Sequence, residues 1–332
     1  MEIVLSGIRP TGNMHLGNYF GALKNWVRMQ DEYNCYYFVA DYHSLTTHPN
    51  PADLNRNVRQ LMIEILACGV DPDKATIYVQ SDLPETAELF LLLNMFAYKG
   101  ELERSNSFKE KIRNQKENIN AGLLTYPVLM AADILIHRAN KVPVGKDQQQ
   151  HLEMTRNYAQ RFNRTYGVEI FPEPEPFSYT DELVKIPGLD GSGKMGKSEG
   201  EGNAIYLVDT PDDIRKKVMK AVTDSGPTEN DQEKPDIIKN LFSLMSAISS
   251  SETVARFEAD YNKCEIRYGD MKKQLAEDII SFTAPLKEKI NEISDDDSYL
   301  KKVIKLGTEK ARESASQTIK LAKDAIGMKM II

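Results

Sequence analysis

The sequence predicts a Rossmann-like α/β fold, a doubly wound parallel sheet, followed by an α-helical C-terminal part. Three features point to it. Short apolar runs of strand length alternate with helical patterns to about residue 165, as expected of a parallel sheet covered on both faces. The first run ends in a glycine-rich turn that opens a helix, where doubly wound folds take anionic ligands. Beyond residue 203 strand patterns nearly vanish and helical periodicity takes over.

In chain order, residues 2–6 form a short β-branched run ending at Gly7, and a helical pattern follows over 15–31. Residues 35–40 (CYYFVA) are wholly apolar and stop at Asp41. Residues 51–69 read as a helix with Pro51 in its first turn and Gly69 past its end, the usual asymmetry of helix termini. Residues 76–80 (TIYVQ) are a third strand and 85–98 a helix. Pro127 suits the first position of a further helix, which makes Tyr126 its N-cap. Residues 171–177 (FPEPEPF) hold three prolines and cannot be helical. Residues 187–203 hold six glycines and form a long loop. Helices are expected over 212–222, 235–248, 253–262 and 266–293. A last one spans about 299–326, with Val303, Leu306, Ala311, Ala315, Ile319, Ala322 and Ile326 near one face.

The chain has 332 residues, enough for two domains and a sizeable core. Hydrophobic residues make up 41% and charged residues 27%, which excludes disordered, collagenous and low-complexity classes. No apolar run is long enough for a membrane-spanning helix, and the N-terminus lacks the features of a secretory signal. A cytoplasmic protein is therefore expected. Cys35, Cys68 and Cys264 are far apart, form no CxxC, and are expected to be buried thiols. A net charge of −7 excludes a strongly basic nucleic-acid binder as a description of the whole chain. Residues 262–332 still carry 14 Lys/Arg against 12 Asp/Glu, which leaves room for a local contact with phosphates.

The first turn reads Ser6-Gly7-Ile8-Arg9-Pro10-Thr11-Gly12-Asn13-Met14-His15-Leu16-Gly17-Asn18. It is not the GxGxxG of dinucleotide binders. His15 and Asn18, three apart on the first helical turn, can both donate hydrogen bonds to a phosphate or ribose. The long loop contains Gly191-Ser192-Gly193-Lys194-Met195-Gly196-Lys197-Ser198, a formal P-loop match. Its context is wrong, because Ser198 precedes Glu-Gly-Glu-Gly-Asn, a poor helix start, far from the start of the sheet. What remains is a glycine-rich loop whose Lys194 and Lys197 suit closure over a polyphosphate. Tyr126, Met130 and Asp133 stand at i, i+4 and i+7 on one helical face. A hydroxyl, a thioether and a carboxylate together suit an amphipathic ligand, and a carboxylate on an apolar helix needs a partner. His43 follows the end of the second strand, where such folds gather their sites.

His15-Leu16-Gly17-Asn18 and Lys194-Met195-Gly196-Lys197-Ser198 resemble the two signatures of class I aminoacyl-tRNA synthetases, usually written HIGH and KMSKS. Residues 100–104 (GELER), 121–127 (AGLLTYP), 130–135 (MAADIL), 142–148 (VPVGKDQ) with His151, and 221–225 (AVTDS) resemble the bacterial tryptophanyl branch. The resemblance runs over nearly the whole chain. It implies a catalytic domain over 1–190, a mobile KMGKS loop over 187–203 and a helical anticodon-binding domain over 200–298, with the helix at about 299–327 packing back on the first. It also implies that L-tryptophan reacts with ATP to give tryptophanyl-adenylate and pyrophosphate, and then passes to tRNA(Trp). Mg²⁺ would be carried on the ATP and not by the protein. A homodimer without membrane contact is expected.

The resemblance assigns Lys194, Lys197 and Lys111 to the phosphates as the catalytic groups. It adds Arg9, Thr11, His15, Gly17, Asn18, Gly145, Asp147, Met195 and Ser198 to the ATP site. Tryptophan falls to Leu5, Gly7, His43, Tyr126, Met130, Asp133 and Gln148. Asp133 would accept the indole N–H, Met130 would pack on the ring, and Tyr126 with Gln148 would hold the ammonium group. The attacking carboxylate is already ionised, so the chemistry needs positioning and positive charge more than a base. The sequence departs from the family pattern at Lys146 (often Glu), Leu5 (aromatic in some relatives), Arg9 (often Gln) and Gly196 (usually Ser). The nearest rival is the tyrosyl branch of the family. A more distant one is a P-loop nucleotidase using residues 191–198.

Overall fold

The computed structural model describes residues 1–114, 119–145, 148–179, 186–191, 193, 195–196 and 202–328. Strands β1 (Ile3–Ile8), β2 (Asn34–Val39), β3 (Thr76–Val79), β4 (Lys141–Pro143) and β5 (Glu175–Phe177) pair in parallel in the order β3-β2-β1-β4-β5. Their side chains alternate between two apolar layers. Cys35, Tyr37 and Val39 enter one core, while Tyr36, Phe38 and Ala40 enter the other. A strand buried on both faces reads as an unbroken apolar run, which is why residues 35–40 were legible. β4 and β5, three residues each, were too short for that signal. β5 lies inside the proline-rich segment at the sheet edge, where the missing N–H of Pro176 costs least.

The first helical run starts as α1 (Leu16–Asn18), passes through a π turn at Tyr19–Leu23 and continues as α2 (Lys24–Met29). α3 (Pro51–Ala67) has Asn50 as N-cap, with its side chain accepting from the N–H of Ala52, and Pro51 in the first turn. Gly69 follows the helix at φ +102°, a conformation that costs glycine little. α4 (Pro84–Asn94) is shorter than expected, and the chain turns before α5 (Lys99–Arg104) and α6 (Asn106–Asn114).

α7 (Ala121–Ile136) corrects one expectation. Asn120 is its N-cap, accepting from the N–H of Leu123, so Pro127 lies inside the helix and Tyr126 caps nothing. The local Asn cap wins over proline's preference for N1, and the lost backbone bond is tolerated in a helix whose C-terminal half, Ala131 to Ile136, is buried. Tyr126, Met130 and Asp133 nonetheless share one face, since all three now stand on one continuous helix.

α8 (Gln149–Tyr166) completes the first part. α9 (Pro211–Met219), α10 (Asp236–Ile248), α11 (Ser251–Asn262), α12 (Tyr268–Asp295) and α13 (Asp297–Ile326) follow. One face of the sheet packs against α2 and α3, and that core continues into α9–α12 through Phe242, Tyr261 and Ile279. The other face packs against α4, α7, α8 and α13.

α13 returns to β3 and lies close against it. A Cβ on Gly307 would fall inside van der Waals contact of the Ile77 carbonyl, so only glycine permits this approach. Leu306, expected on the packed face, is 45% exposed; the backbone of Gly307 takes that place. Arg312 donates to the Asp82 carbonyl at 2.6 Å and Lys323 to Glu88 at 2.9 Å. Cys35 and Cys68 are buried, but Cys264 is exposed just past α11, against the expectation for all three thiols. It sits in a turn at φ +58°, clear of either core.

The strand order reverses between β1 and β4. The chain leaves the first at Ile8 and the second at Pro143, so Arg9 and Gly145 flank the crevice at the switch point, where open α/β sheets bind ligands.

Candidate active site

The glycine-rich turn after β1 is held from below. The backbone N–H of Met14 donates to Oε2 of Glu64 at 2.9 Å, and Glu64 is fully buried on α3. His15 is then the N-cap of α1. Its Nδ1 accepts from the Asn18 N–H at 3.3 Å, while Oδ1 of Asn18 accepts from the His15 N–H at 3.2 Å. The two polar residues of the first signature thus build a reciprocal capping box. With Nδ1 accepting, a neutral His15 carries its proton on Nε2. Residues 203–208 run beside this turn: Leu16 N–H donates to Ile205 at 3.0 Å and Leu207 N–H to Met14 at 2.9 Å.

The second signature reaches the same place. Met195 is 1% exposed, and its backbone N–H bonds the Ile186 carbonyl at 2.9 Å. A Cβ built on Gly17 would lie 2.9 Å from Nδ1 of His15 and 3.5 Å from the Met195 Cβ. The fold therefore brings together two motifs that are about 180 residues apart in the chain. Lys194, Lys197, Ser198 and Asp147, and with them Lys146, lie outside the described residues. Gly191 has φ +84°. Among the described residues no helix starts between 202 and the first residue of α9, Pro211, so the strand–loop–helix context of a P-loop is absent there.

A second group of side chains lines the crevice. Nζ of Lys111 lies 4.0 Å from the centre of the Tyr126 ring, in cation–π range. Burial, reinforced by the nearby charge of Arg9, lowers the Lys111 pKa. Arg9 is half-buried, and among the described residues its shielded Nε has no hydrogen-bond partner. No carboxylate among the described residues pairs with either cation. Two unpaired positive charges beside an aromatic ring make a place for anions. Thr11 is exposed at the mouth of the turn, its N–H bonded to Arg9. Gly145 is half-buried and accepts from the N–H of Gln148 at 3.0 Å.

Asp133 is the buried acid of the site, 2% exposed. Oδ2 is 2.7 Å from Nε2 of His43, and Oδ1 accepts from the Gln80 amide at 2.6 Å. Burial raises its pKa, opposed by the hydrogen bonds from His43 and Gln80. The Tyr126 ring meets His43 edge-on at 4.5 Å. Met130 is half-buried against the second core. Leu5 is 2% exposed within that core, whereas Gly7 is open to solvent. A Cβ on Gly7 would enter the Phe38 ring, so glycine leaves room for that ring on the neighbouring strand. Oε1 of Gln148 lies 2.8 Å from Nδ1 of His151.

Sequence reasoning missed Gln80 and Glu64. Gln80 had a visible signal, a polar residue ending a wholly apolar strand pattern at the carboxyl end where sites form. Glu64 had none, because a single acid within a helix looks like any solvated residue.

A family model described as tRNA synthetases class I (W and Y) matches residues 2–284. The tryptophan–tRNA ligase of Porphyromonas gingivalis is 60% identical over 329 residues, covering 99% of this chain and 100% of the relative. That of Fusobacterium nucleatum is 43% identical over 329 residues, covering 99% and 98%. The solved tryptophanyl-tRNA synthetase from Campylobacter jejuni, complexed with ADP and tryptophan, is similar with a TM-score of 0.88 at 34% identity. It covers 98% of this chain and 99% of that one.

Proposed function

The chain belongs to the class I tRNA synthetases of the tryptophan and tyrosine family, and we infer that it activates L-tryptophan with ATP and transfers it to tRNA(Trp). It is an ATP-dependent ligase that forms tryptophanyl-adenylate and pyrophosphate before the transfer. The observation that carries this is the 60% identity with a tryptophan–tRNA ligase over the full length of both chains. It also favours tryptophan over tyrosine, and a synthetase over a P-loop nucleotidase.

The residue roles are our proposal. Tryptophan lies with its indole toward Asp133 and Met130, between Leu5, Gly7 and His43. Its ammonium group faces Tyr126 and Gln148. Its carboxylate, already ionised, attacks the α-phosphorus of ATP, and the P–O bond to pyrophosphate breaks. No side chain need take a proton in this step. Arg9, Lys111, Lys194 and Lys197 supply positive charge to the phosphates, which is worth most in a site that excludes water. Thr11, His15, Gly17, Asn18, Gly145, Asp147, Met195 and Ser198 seat the nucleotide. This reading is supported by the convergence of His15, Gly17 and Met195 and by the unpaired charges of Arg9 and Lys111.

Mg²⁺ is proposed to enter on the ATP phosphates; among the described residues no group of three or more His, Cys, Asp or Glu side chains is arranged to hold a metal. The helical part, residues 200–298, is proposed to meet the anticodon, the α/β part being residues 1–190. A homodimer is proposed, and the exposed apolar side chains of Leu91 and Met95, 58% and 70% exposed, are in keeping with it. A cytoplasmic location is proposed; among the described residues no helix is long and apolar enough to cross a membrane.

Pyrophosphate exchange into ATP, run with each amino acid separately and followed by charging of tRNA(Trp), tests the function. Exchange with tryptophan alone is expected. Exchange with tyrosine, or release of ADP and phosphate, overturns it.

A further inference from the structure

Gln148 is anchored through His151 to the helix that carries Lys111. Oε1 of Gln148 is 2.8 Å from Nδ1 of His151, one helical turn later. Nε2 of the same ring is 2.7 Å from Oγ of Ser107. His151 is 2% exposed, so its two nitrogens need partners within the protein. Ser107 stands in the first turn of α6, four residues before Lys111, and shares its face. A second strap joins the same elements, the Asn106 N–H donating to Oε1 of Gln150 at 2.9 Å. Neither Ser107 nor His151 has a part in the chemistry described above.

We propose that Ser107 and His151 are positioning residues that aim the Gln148 side chain at the ammonium group of tryptophan. The proposal rests on the reading that Gln148 holds that group. A neutral imidazole has one donor and one acceptor nitrogen. When the Ser107 hydroxyl donates to Nε2, the Nδ1–H donates to Oε1 of Gln148. An amide oxygen accepts two hydrogen bonds, so the same oxygen can take an ammonium N–H. The chain of bonds therefore settles where that oxygen points before the ligand arrives. Such preorganisation spares the cost of ordering a flexible amide on binding. Removing the Ser107 hydroxyl takes away one hydrogen bond that orients the buried imidazole, and the ring is freer to shift.

The test compares tryptophan with indole-3-propionate, which has the same ring and carboxylate but no ammonium group. In pyrophosphate exchange, Ser107→Ala should raise the KM for tryptophan roughly three- to tenfold, the value of one neutral hydrogen bond. The KM for ATP and the inhibition constant of indole-3-propionate should stay unchanged. Ser107→Thr, which keeps a hydroxyl, should restore the tryptophan KM. In a Gln148→Ala background Ser107→Ala should add nothing. The proposal fails if Ser107→Ala leaves the tryptophan KM unchanged while Gln148→Ala raises it. It fails equally if indole-3-propionate is weakened as much as tryptophan, which marks a structural defect. Should Gln148→Ala itself leave the tryptophan KM unchanged, the ammonium seat is misassigned and the proposal goes with it.

Discussion

Oδ2 of Asp133 and Nε2 of His43 lie 2.7 Å apart, and the two residues are 2% and 4% exposed. Because Gln80 occupies the other oxygen at 2.6 Å, each oxygen of the carboxylate has a donor before any ligand binds. This changes how strongly Asp133 can read an indole N–H. An acceptor left bare by the wrong ligand would reject it by about 10⁴–10⁵. Here both oxygens stay bonded, so the indole adds a further hydrogen bond to a charged group, worth roughly 1.5–3 kcal/mol.

Tryptophan should therefore exceed its analogue with sulfur in place of the indole N–H by roughly 10- to 150-fold in kcat/KM. Asp133→Ala should lower tryptophan activation and close most of that gap. Both substrates are measured with both enzymes, after circular dichroism confirms that the variant is folded. An unchanged gap means that Asp133 does not touch the indole.

Gly17→Val should weaken ATP. A Cβ at this position meets Nδ1 of His15 at 2.9 Å and would push the ring off the Asn18 N–H. Loss of the cap costs about 1 kcal/mol of stability, and the displaced imidazole leaves the nucleotide turn. The measurement is ATP affinity by calorimetry beside the melting temperature. Wild-type affinity in a folded variant would remove this turn from the ATP site.

Arg9→Gln should move the alkaline limb of the pH profile. Burial and the Arg9 charge both favour neutral Lys111, so its pKa is depressed and the proton is lost at lower pH than in free lysine. Removing the like charge favours the protonated form and raises the pKa. The alkaline fall in kcat/KM for ATP, which reports the free enzyme, should shift to higher pH. A limb that stays in place, or moves to lower pH, shows that Lys111 does not set it.

Acid should loosen the last helix. His137 bonds the Tyr78 hydroxyl at 3.0 Å and Ser314 of α13 at 3.2 Å, and burial pushes its pKa down from 6.5 to about 3. The folded state thus holds a neutral imidazole that the unfolded chain protonates more readily. The stability this confers is full above the unfolded pKa and is lost as pH falls towards 3. The slope from this group is about 1.4 kcal/mol per pH unit. Urea unfolding between pH 7 and pH 4 should show a flatter decline in His137→Gln than in the wild type, and parallel curves would count against the assignment.

Much of this molecule was readable from local rules. The sheet was legible where a strand such as 35–40 is buried on both faces, because alternate residues then all need to be apolar. α3 was legible from Pro51 and Gly69, since each restricts or frees its own backbone. The two signatures and the Tyr126, Met130, Asp133 face were also visible, because each depends only on spacing within one segment. β4 and β5 escaped because three residues carry no period. The start of α7 was misread because an Asn cap and a proline offered competing signals seven residues apart.

Sequence alone determined the fold class, the order of the longer elements and the chemical types available to the site. Tertiary structure decided which of these meet. Gly17 faces Met195, Asp133 finds His43 and Gln80, Lys111 lies over Tyr126, and Gly307 admits α13 to the Ile77 carbonyl. No local rule encodes such pairs. They arise only when burial of two apolar faces forces distant segments together and each buried polar group must then find a partner.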